Sequence, residues 1–376
     1  MAETDKKTIL IATGLYPPDV GGPATYSYLL NQELPRRGWE VKILSFGEVR
    51  SWPKIIRHLA YGWKVFRLVR HYQIIYVQDP VSVGLPVCLA CALARRSFIL
   101  KIVGDYAWEQ GSQRFGVIDL LDDFSLEYKK YIWPVKLLKL IQRGVARRAQ
   151  KIIVPSNYLK KIVSNWGVNS DKIKVIYNAF NSPEILPEKE VLQRELGLSG
   201  QIIISAGRLV PWKGFTLLIE IMPELLAVYP GLKLYIIGDG PDHDRLEKLI
   251  TNKEMSGCIF LLGRLAQKEL LKFIKAADLF VLNTSYEGFS HQLLEVMWCE
   301  TPIVTTAVGG NVELIKDKEN GLLVNFNDSS AMERTIKSVL ADRQLASRLA
   351  NNAQQTIAGF SRERMITQLL AHLSGT

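Results

Sequence analysis

Two carboxylates eight positions apart, Glu287 and Glu295, flank a glycine and a serine in the stretch Tyr286-Glu287-Gly288-Phe289-Ser290-His291-Gln292-Leu293-Leu294-Glu295. Gly288 lets a ligand approach the backbone closely, and Ser290 suits the N-cap of a helix whose first N–H groups and dipole attract phosphate. With helical residues between them the carboxylates lie about 12 Å apart, too far to share a proton. They can instead accept hydrogen bonds from hydroxyls at two ends of one extended ligand. Anions on both sides of an anion-binding helix start match a molecule with phosphate in its middle and polyol at either end, the layout of a nucleotide-sugar. A second cluster, Gly207-Arg208-Leu209-Val210-Pro211-Trp212-Lys213-Gly214, holds two cations that can sit beside such a phosphate. Taken alone, each cluster equally describes solvated surface charge.

The elements that must position these groups follow from the hydrophobic pattern. The apolar run 279–282 predicts a short buried strand, and the periodic segment after Ser290 predicts a helix, so the carboxylates belong to a strand-loop-helix unit. Residues 201–206 form the same arrangement with the 207–214 loop and a helix running to 228. Further strands are expected at 7–13, 40–46, 74–78, 98–103, 151–155, 172–177, 233–237, 259–262, 302–306 and 321–326. Helical patterns fall at 24–37, 54–71, 85–94, 134–149, 157–166 and within 329–373. Alternation of this kind predicts an α/β protein with parallel, doubly wound sheets and ligand sites at the strands' carboxyl ends. A polar stretch with Pro183 and Pro187 predicts a linker over 181–200. It separates an N-terminal domain, 1–180, from a C-terminal one, 201–355, and residues 356–376 follow as a last helix. A long irregular segment is expected from 104 to about 131. The two halves share a strand, Gly-x-x-x-Pro loop, helix plan at Gly14–Gly22 and Gly207–Gly214, an architectural match rather than a repeat.

The run Tyr-Glu-Gly-Phe-Ser at 286–290, Leu-Leu-Glu-Val-Met at 293–297 and Thr-Pro-Ile-Val at 301–304 resembles the retaining glycosyltransferases of family 4. The resemblance covers essentially the whole chain, most specifically over 205–215 and 285–310 and least over 45–135. It implies the GT-B fold, in which two Rossmann-like domains face each other across a cleft and the last segment returns to the first domain. On that resemblance Arg208, Lys213 and Glu287 form the catalytic group: the two cations hold the leaving diphosphate and Glu287 the donor sugar. Gly207, Gly288, Phe289 and Ser290 surround the phosphates, Glu295 takes the ribose, and Gly263 and Arg264 lie at the base. The loop Pro17-Pro18-Asp19-Val20-Gly21-Gly22 is similar to the family's first-strand loop, which implies that Gly21 and Gly22 face the diphosphate and the reacting sugar. The implied reaction retains anomeric configuration, the leaving phosphate helps deprotonate the acceptor, and neither metal nor cofactor is expected. Tyr26, Asp105 and Tyr106 are the candidate acceptor contacts. Family members carry a histidine after the fourth strand where this chain has Gly104, so no role is carried to that position. Its neighbour Asp105 can bind a sugar hydroxyl, stand solvated in the loop, or cap a helix.

At 376 residues and 48% hydrophobic content the chain can bury two substantial cores. Four cysteines without a secreted framework's spacing point to a reducing compartment, and the polar N-terminus gives no sign of a signal peptide. The apolar stretch 81–94 is too short to cross a bilayer. A cytoplasmic location is therefore expected. Charge is uneven: residues 1–180 carry 27 Lys and Arg against 14 Asp and Glu, a net of +13, whereas the remainder carries 20 against 23, or −3. Basic side chains interleave with Trp52, Trp63 and Phe66 over 50–70 and recur over 129–151. This pattern fits either an anionic membrane surface, with a lipid-linked acceptor, or an amphipathic helix with a solvated basic face. No recognisable nucleic-acid module accompanies it, so nucleic acid is not an expected partner.

Other motifs carry less. Cys88-Leu89-Ala90-Cys91 reads as packing. Gly238-Asp239-Gly240 is half a dinucleotide fingerprint, with His243 at the third glycine position. Asp242-His243-Asp244 resembles a metal-binding DxD but reads as a first helical turn. The expected activity is sugar transfer from a nucleoside diphosphate sugar, UDP first and GDP-mannose second, to a hydroxyl acceptor. A binding scaffold without turnover, a sugar-nucleotide epimerase and a phosphorylase are the rivals, the last without a motif for pyridoxal phosphate.

Overall fold

The computed structural model describes all residues except 1–5, 20, 181–184 and 375–376. Pro183 of the expected linker and Val20 of the first-strand loop lie outside the described residues. The chain divides into two compact units, Met1–Tyr177 with Ile366–Thr376, and Asn178–Met365.

In the first unit the strands are β1 Lys7–Thr13, β2 Trp39–Ser45, β3 Ile74–Gln78, β4 Ile99–Lys101, β5 Lys151–Val154 and β6 Ile173–Val175. They pair in the order β2-β1-β3-β4-β5-β6, every ladder parallel. Central positions such as Ile9, Leu10 and Ile11 are fully buried because helices cover both faces, which is why these strands read as apolar runs rather than alternations. The strand order reverses between β1 and β3, so the loops after Thr13 and Gln78 open at the switch point. The first helix, Gly22–Glu33, ends earlier than its periodicity predicts; Pro35 cannot continue it, and Pro35–Arg37 tightens to a 3-10 turn.

The segment expected to be irregular up to residue 131 contains two helices, Tyr106–Arg114 and Leu121–Leu126. A buried lysine organises it. Lys139, on the helix Trp133–Arg148, donates to the carbonyls of Phe124 and, at 2.8 Å, Glu127, with its ammonium 3.7 Å from the Phe124 ring centre. Burial draws its pKa down to about 8. Cys88 and Cys91 are buried free thiols; burial pushes the Cys91 thiol up to about 12, as packing residues should be.

In the second unit β7 Ile202–Ala206, β8 Lys233–Ile237, β9 Ile259–Leu261, β10 Leu279–Leu282, β11 Ile303–Thr306 and β12 Leu322–Val324 form another parallel sheet, ordered β12-β11-β10-β7-β8-β9. Here the order reverses between β7 and β10, which pair directly through Leu279↔Ile203 and Phe280↔Ile204. One core of Ile203, Phe215, Leu218, Val281, Met332 and their neighbours fills the space between sheet and helices. The helix Lys189–Glu195, in the segment expected to be a linker, is anchored to this unit. Lys189 pairs with Asp278 at 2.6 Å, Gln193 donates to Ala276 O at 2.9 Å, and Glu195 pairs with Lys272 at 2.7 Å. The final helix, Arg362–Ser374, joins the first unit, where Lys151 donates to His372 O at 2.9 Å and Lys7 to Ser374 Oγ at 3.1 Å. No helix among the described residues is long and apolar enough to cross a membrane.

Candidate active site

The loops after β7 and β10 meet at the switch point of the second unit, which brings the two clusters picked out in the sequence together. Ser285 N and Thr284 Oγ1 both donate to Trp212 O, at 2.8 and 3.1 Å. Asn283, fully buried, donates through Nδ2 to Gly214 O at 3.2 Å. Gly214 has φ +59, and a Cβ there would lie 2.2 Å from Asn283 O, so only glycine allows the two loops to touch. From this seam Lys213 and Glu287 reach each other and form an ion pair, each side chain only 12% exposed. Arg208 is exposed in the same loop as Lys213, just past the carboxyl end of β7.

A third loop supports the second. Gly310 N donates to Glu287 O at 2.8 Å, and Cβ atoms on Gly309 and Gly310 would lie 2.3 Å from Glu287 O and 2.5 Å from Gly288 O. The backbone carrying Glu287 and Gly288 therefore rests on the glycine pair after β11. Ser290 caps the helix His291–Trp298, accepting from Leu293 N at 3.3 Å, so the helix's positive end opens beside Gly288. Residues 287–290 are loop and only the later part of the interval to Glu295 is helical, so the fully helical spacing does not apply. Phe289 is buried against Phe360, ring centres 5.6 Å apart, which leaves its backbone rather than its ring for a ligand.

Glu295 is 9% exposed and accepts from Gln267 Nε2 at 3.1 Å. Burial raises its pKa to about 7, and the Gln267 bond opposes that rise. Gly263 follows β9, its carbonyl taking Gly238 N at 2.8 Å; Arg264 is exposed next to it. A Cβ on Gly238 would fall 1.8 Å from Gly207 O, and one on Gly240 would fall 2.3 Å from Leu209 O. The glycines that half-match a dinucleotide fingerprint thus serve the packing of loop on loop. Asp242 and Asp244 stand at the start of the helix His243–Asn252, where Asp242 pairs with Arg245 at 2.9 Å.

The other five candidates belong to the first unit. Gly21, with φ +147, and Gly22 open the helix Gly22–Glu33. Two acceptor candidates are corrected. Tyr26 is 5% exposed, its hydroxyl 3.1 Å from that of Tyr76 and its ring 3.7 Å beneath the Lys101 ammonium, so it is a core residue. Asp105 is fully buried and caps the helix Tyr106–Arg114, accepting at 2.9 Å from both Trp108 N and Gln142 Nε2, so the helix-cap reading replaces the sugar ligand. Tyr106 remains half-buried, its hydroxyl pKa raised by burial. Sequence reasoning missed Asn283, the Gly309-Gly310 support and Gln267. A Gly-Gly pair straight after a strand was the available signal for the second; Gln267 offered none.

The family model for Glycosyl transferases group 1 matches residues 188–356, and the model for Glycosyltransferase Family 4 matches residues 20–182. The chain is similar to an uncharacterized glycosyltransferase of Methanocaldococcus jannaschii, 32% identical over 93% of each chain. It is 36% identical to the lipopolysaccharide core biosynthesis glycosyltransferase LpsE of Rhizobium meliloti over 46% of this chain, spanning 49% of that relative's length. Among solved structures, Anabaena HepE in complex with UDP-glucose superposes with a TM-score of 0.75 at 21% identity, covering 98% of this chain and 100% of that one. At that identity the likeness concerns the fold.

Proposed function

The chain belongs to glycosyltransferase family 4, with the GT-B fold, and on that premise we propose that it moves a sugar from a UDP-sugar to an acceptor hydroxyl with retention of configuration. The observation that carries this reading is the Lys213–Glu287 pair at the switch point, with the capped helix start at Ser290 close by in the chain. Breaking the glycosidic bond gathers negative charge on the diphosphate. Arg208, Lys213 and the helix end supply positive charge to meet it, and removing one preorganised donor of this kind commonly costs about 3 kcal/mol of transition-state stabilisation. These cations meet the charge demand without a metal. Glu287 holds the donor sugar's hydroxyls and Glu295 the ribose, with the backbone of Gly207, Gly288, Phe289 and Ser290 around the phosphates and Gly263 and Arg264 at the base. The leaving phosphate takes the acceptor's proton as the acceptor attacks the same face of the sugar. Gly21 and Gly22 supply backbone to the donor, and Tyr106 contacts the acceptor.

The basic first unit supports a lipid-linked or glycolipid acceptor and work at the inner face of a membrane, as does the likeness to LpsE, whose name places it in lipopolysaccharide core synthesis. Gly104, where family members have histidine, supports a second reading, donor binding without transfer. The test is a thermal-shift panel of UDP-, GDP-, ADP- and dTDP-sugars, with and without a chelator, on wild type and Glu295→Ala. A rise with UDP-sugars in wild type, indifferent to chelator and reduced in the variant, is expected. No rise with any of the four at millimolar ligand overturns the donor site; a rise with no transfer to any lipid-linked acceptor moves the reading to the scaffold.

A further inference from the structure

Among the described residues, four exposed large hydrophobic side chains belong to the second unit and sixteen to the first. Half of those in the first unit lie on three adjacent helices, Lys54–Leu68, Gly84–Ala94 and Trp133–Arg148. Each connects one parallel strand to a later one in the β3-β4-β5 direction, so all three cover one face of the sheet and run the same way. Their outward sides should be polar. They are not.

On the first helix Ile56, Leu59 and Trp63, at i, i+3 and i+7, are 50%, 70% and 59% exposed. The second, Gly-Leu-Pro-Val-Cys-Leu-Ala-Cys-Ala-Leu-Ala, has no polar side chain at all, and Leu89 and Leu93 stand 58% and 75% exposed. A helix apolar all round is normally enclosed on every side. On the third, Trp133, Leu137 and Leu140 form the stripe, at 73%, 45% and 61% exposure. A groove between the second and third helices is lined by Leu89, Ala92, Leu140, Ile141 and Arg148. Patches this continuous mark an interaction surface rather than scattered exposure.

Charge identifies the occupant. None of the three helices contains Asp or Glu. Because they run in parallel, their carboxyl ends gather Arg67, Arg70, Arg95, Arg147 and Arg148 along one edge of the apolar face. Cations there complement the helix dipoles, which accounts for the edge but not for the apolar belt beside it. A second copy on this face would set three helices that carry no acidic residue of their own, with Glu48 paired to Lys64 at 2.7 Å beside the first, against the same arginines. An anionic bilayer instead accepts the leucines below its headgroups, the two tryptophans at headgroup level and the arginines against its phosphates.

We propose that the outer face of these three helices is the surface on which the first unit docks onto an anionic lipid bilayer. This deepens the lipid-linked acceptor reading and rests on it for the choice of partner. It explains why a helix with the composition of a core element is left half uncovered.

The test is co-sedimentation of the full chain with vesicles of phosphatidylcholine alone or mixed with phosphatidylglycerol, at low and raised salt. Wild type should bind the mixed vesicles at low salt and be released by salt. Arg67→Gln with Arg148→Gln should weaken partitioning about thirtyfold, two surface cations at about 1 kcal/mol each. Leu89→Asp with Leu93→Asp should abolish it while far-UV circular dichroism and the UDP-sugar thermal shift stay as in wild type. Trp63 and Trp133 supply an independent readout, quenching by brominated lipid. Binding by the leucine variant equal to wild type, or no binding by wild type at low salt, overturns the proposal. So does concentration-dependent dimerisation that the leucine variant loses. Donor binding is read separately, so wild type that shows the UDP-sugar shift but binds no vesicles sinks the docking face and leaves the enzymatic reading standing.

Discussion

Lys213 and Glu287 meet with little solvent around either, so removing one strands a charge that the other had neutralised, a loss of roughly 3 kcal/mol for well-buried pairs. Lys213→Met should therefore lower both the urea midpoint of the second unit and turnover. Adding Glu287→Gln to it should recover part of the stability and none of the turnover, which separates the structural role of the pair from its chemistry; full recovery of activity in the double variant would contradict the assigned roles. Glu295 makes a different prediction. Its folded pKa stands near 7 against an ordinary 4.5, so the folded state binds the proton more tightly than the unfolded one. Stability from this group is accordingly full below pH 4.5 and declines as pH rises towards 7, by up to roughly 1.4 kcal/mol per pH unit. Melts of wild type and Glu295→Gln across that window should show the difference, with the variant lacking this component of the slope.

At the scale of elements, the site is a stack of loops whose contacts are backbone on backbone. Gly309→Ala would place a methyl 2.3 Å from Glu287 O at φ +52, so the loop bearing Glu287 must move and the UDP-sugar thermal shift should shrink. Gly116→Ala, at φ +66 with nothing within 4 Å, is the matched control: it should cost about 1 kcal/mol of stability and leave the shift unchanged. This stacking also explains what the sequence could and could not convey. Fully buried parallel strands announce themselves as apolar runs, and β3 and β8 fall where those runs predict. The N-cap at Ser290 and the loops around Lys213 and Glu287 are local features with local signals. Tyr26 and Asp105 depend instead on partners 50 and 37 residues away, Tyr76 and Gln142, which no spacing near them records. Lys139 is harder still, because a buried lysine that satisfies carbonyls and aromatic rings is written with the same letter as a solvated one.

Across the whole molecule, the two sheets share a plan but divide the character of the chain, with the positive charge and most of the exposed apolar surface in the first unit. The helix Gly84–Ala94 shows why that surface was only half legible: its composition is that of an interior element, and only the fold reveals that one side is left open. The division of the chain has one more consequence. The second unit is a single uninterrupted run, Asn178–Met365, whereas the first also takes in residues made after that run, including Ser374 beside Lys7. During synthesis on the ribosome, the second unit can close its core as soon as it emerges. The helix Arg362–Ser374, which joins the first unit, is made only after the second unit is complete.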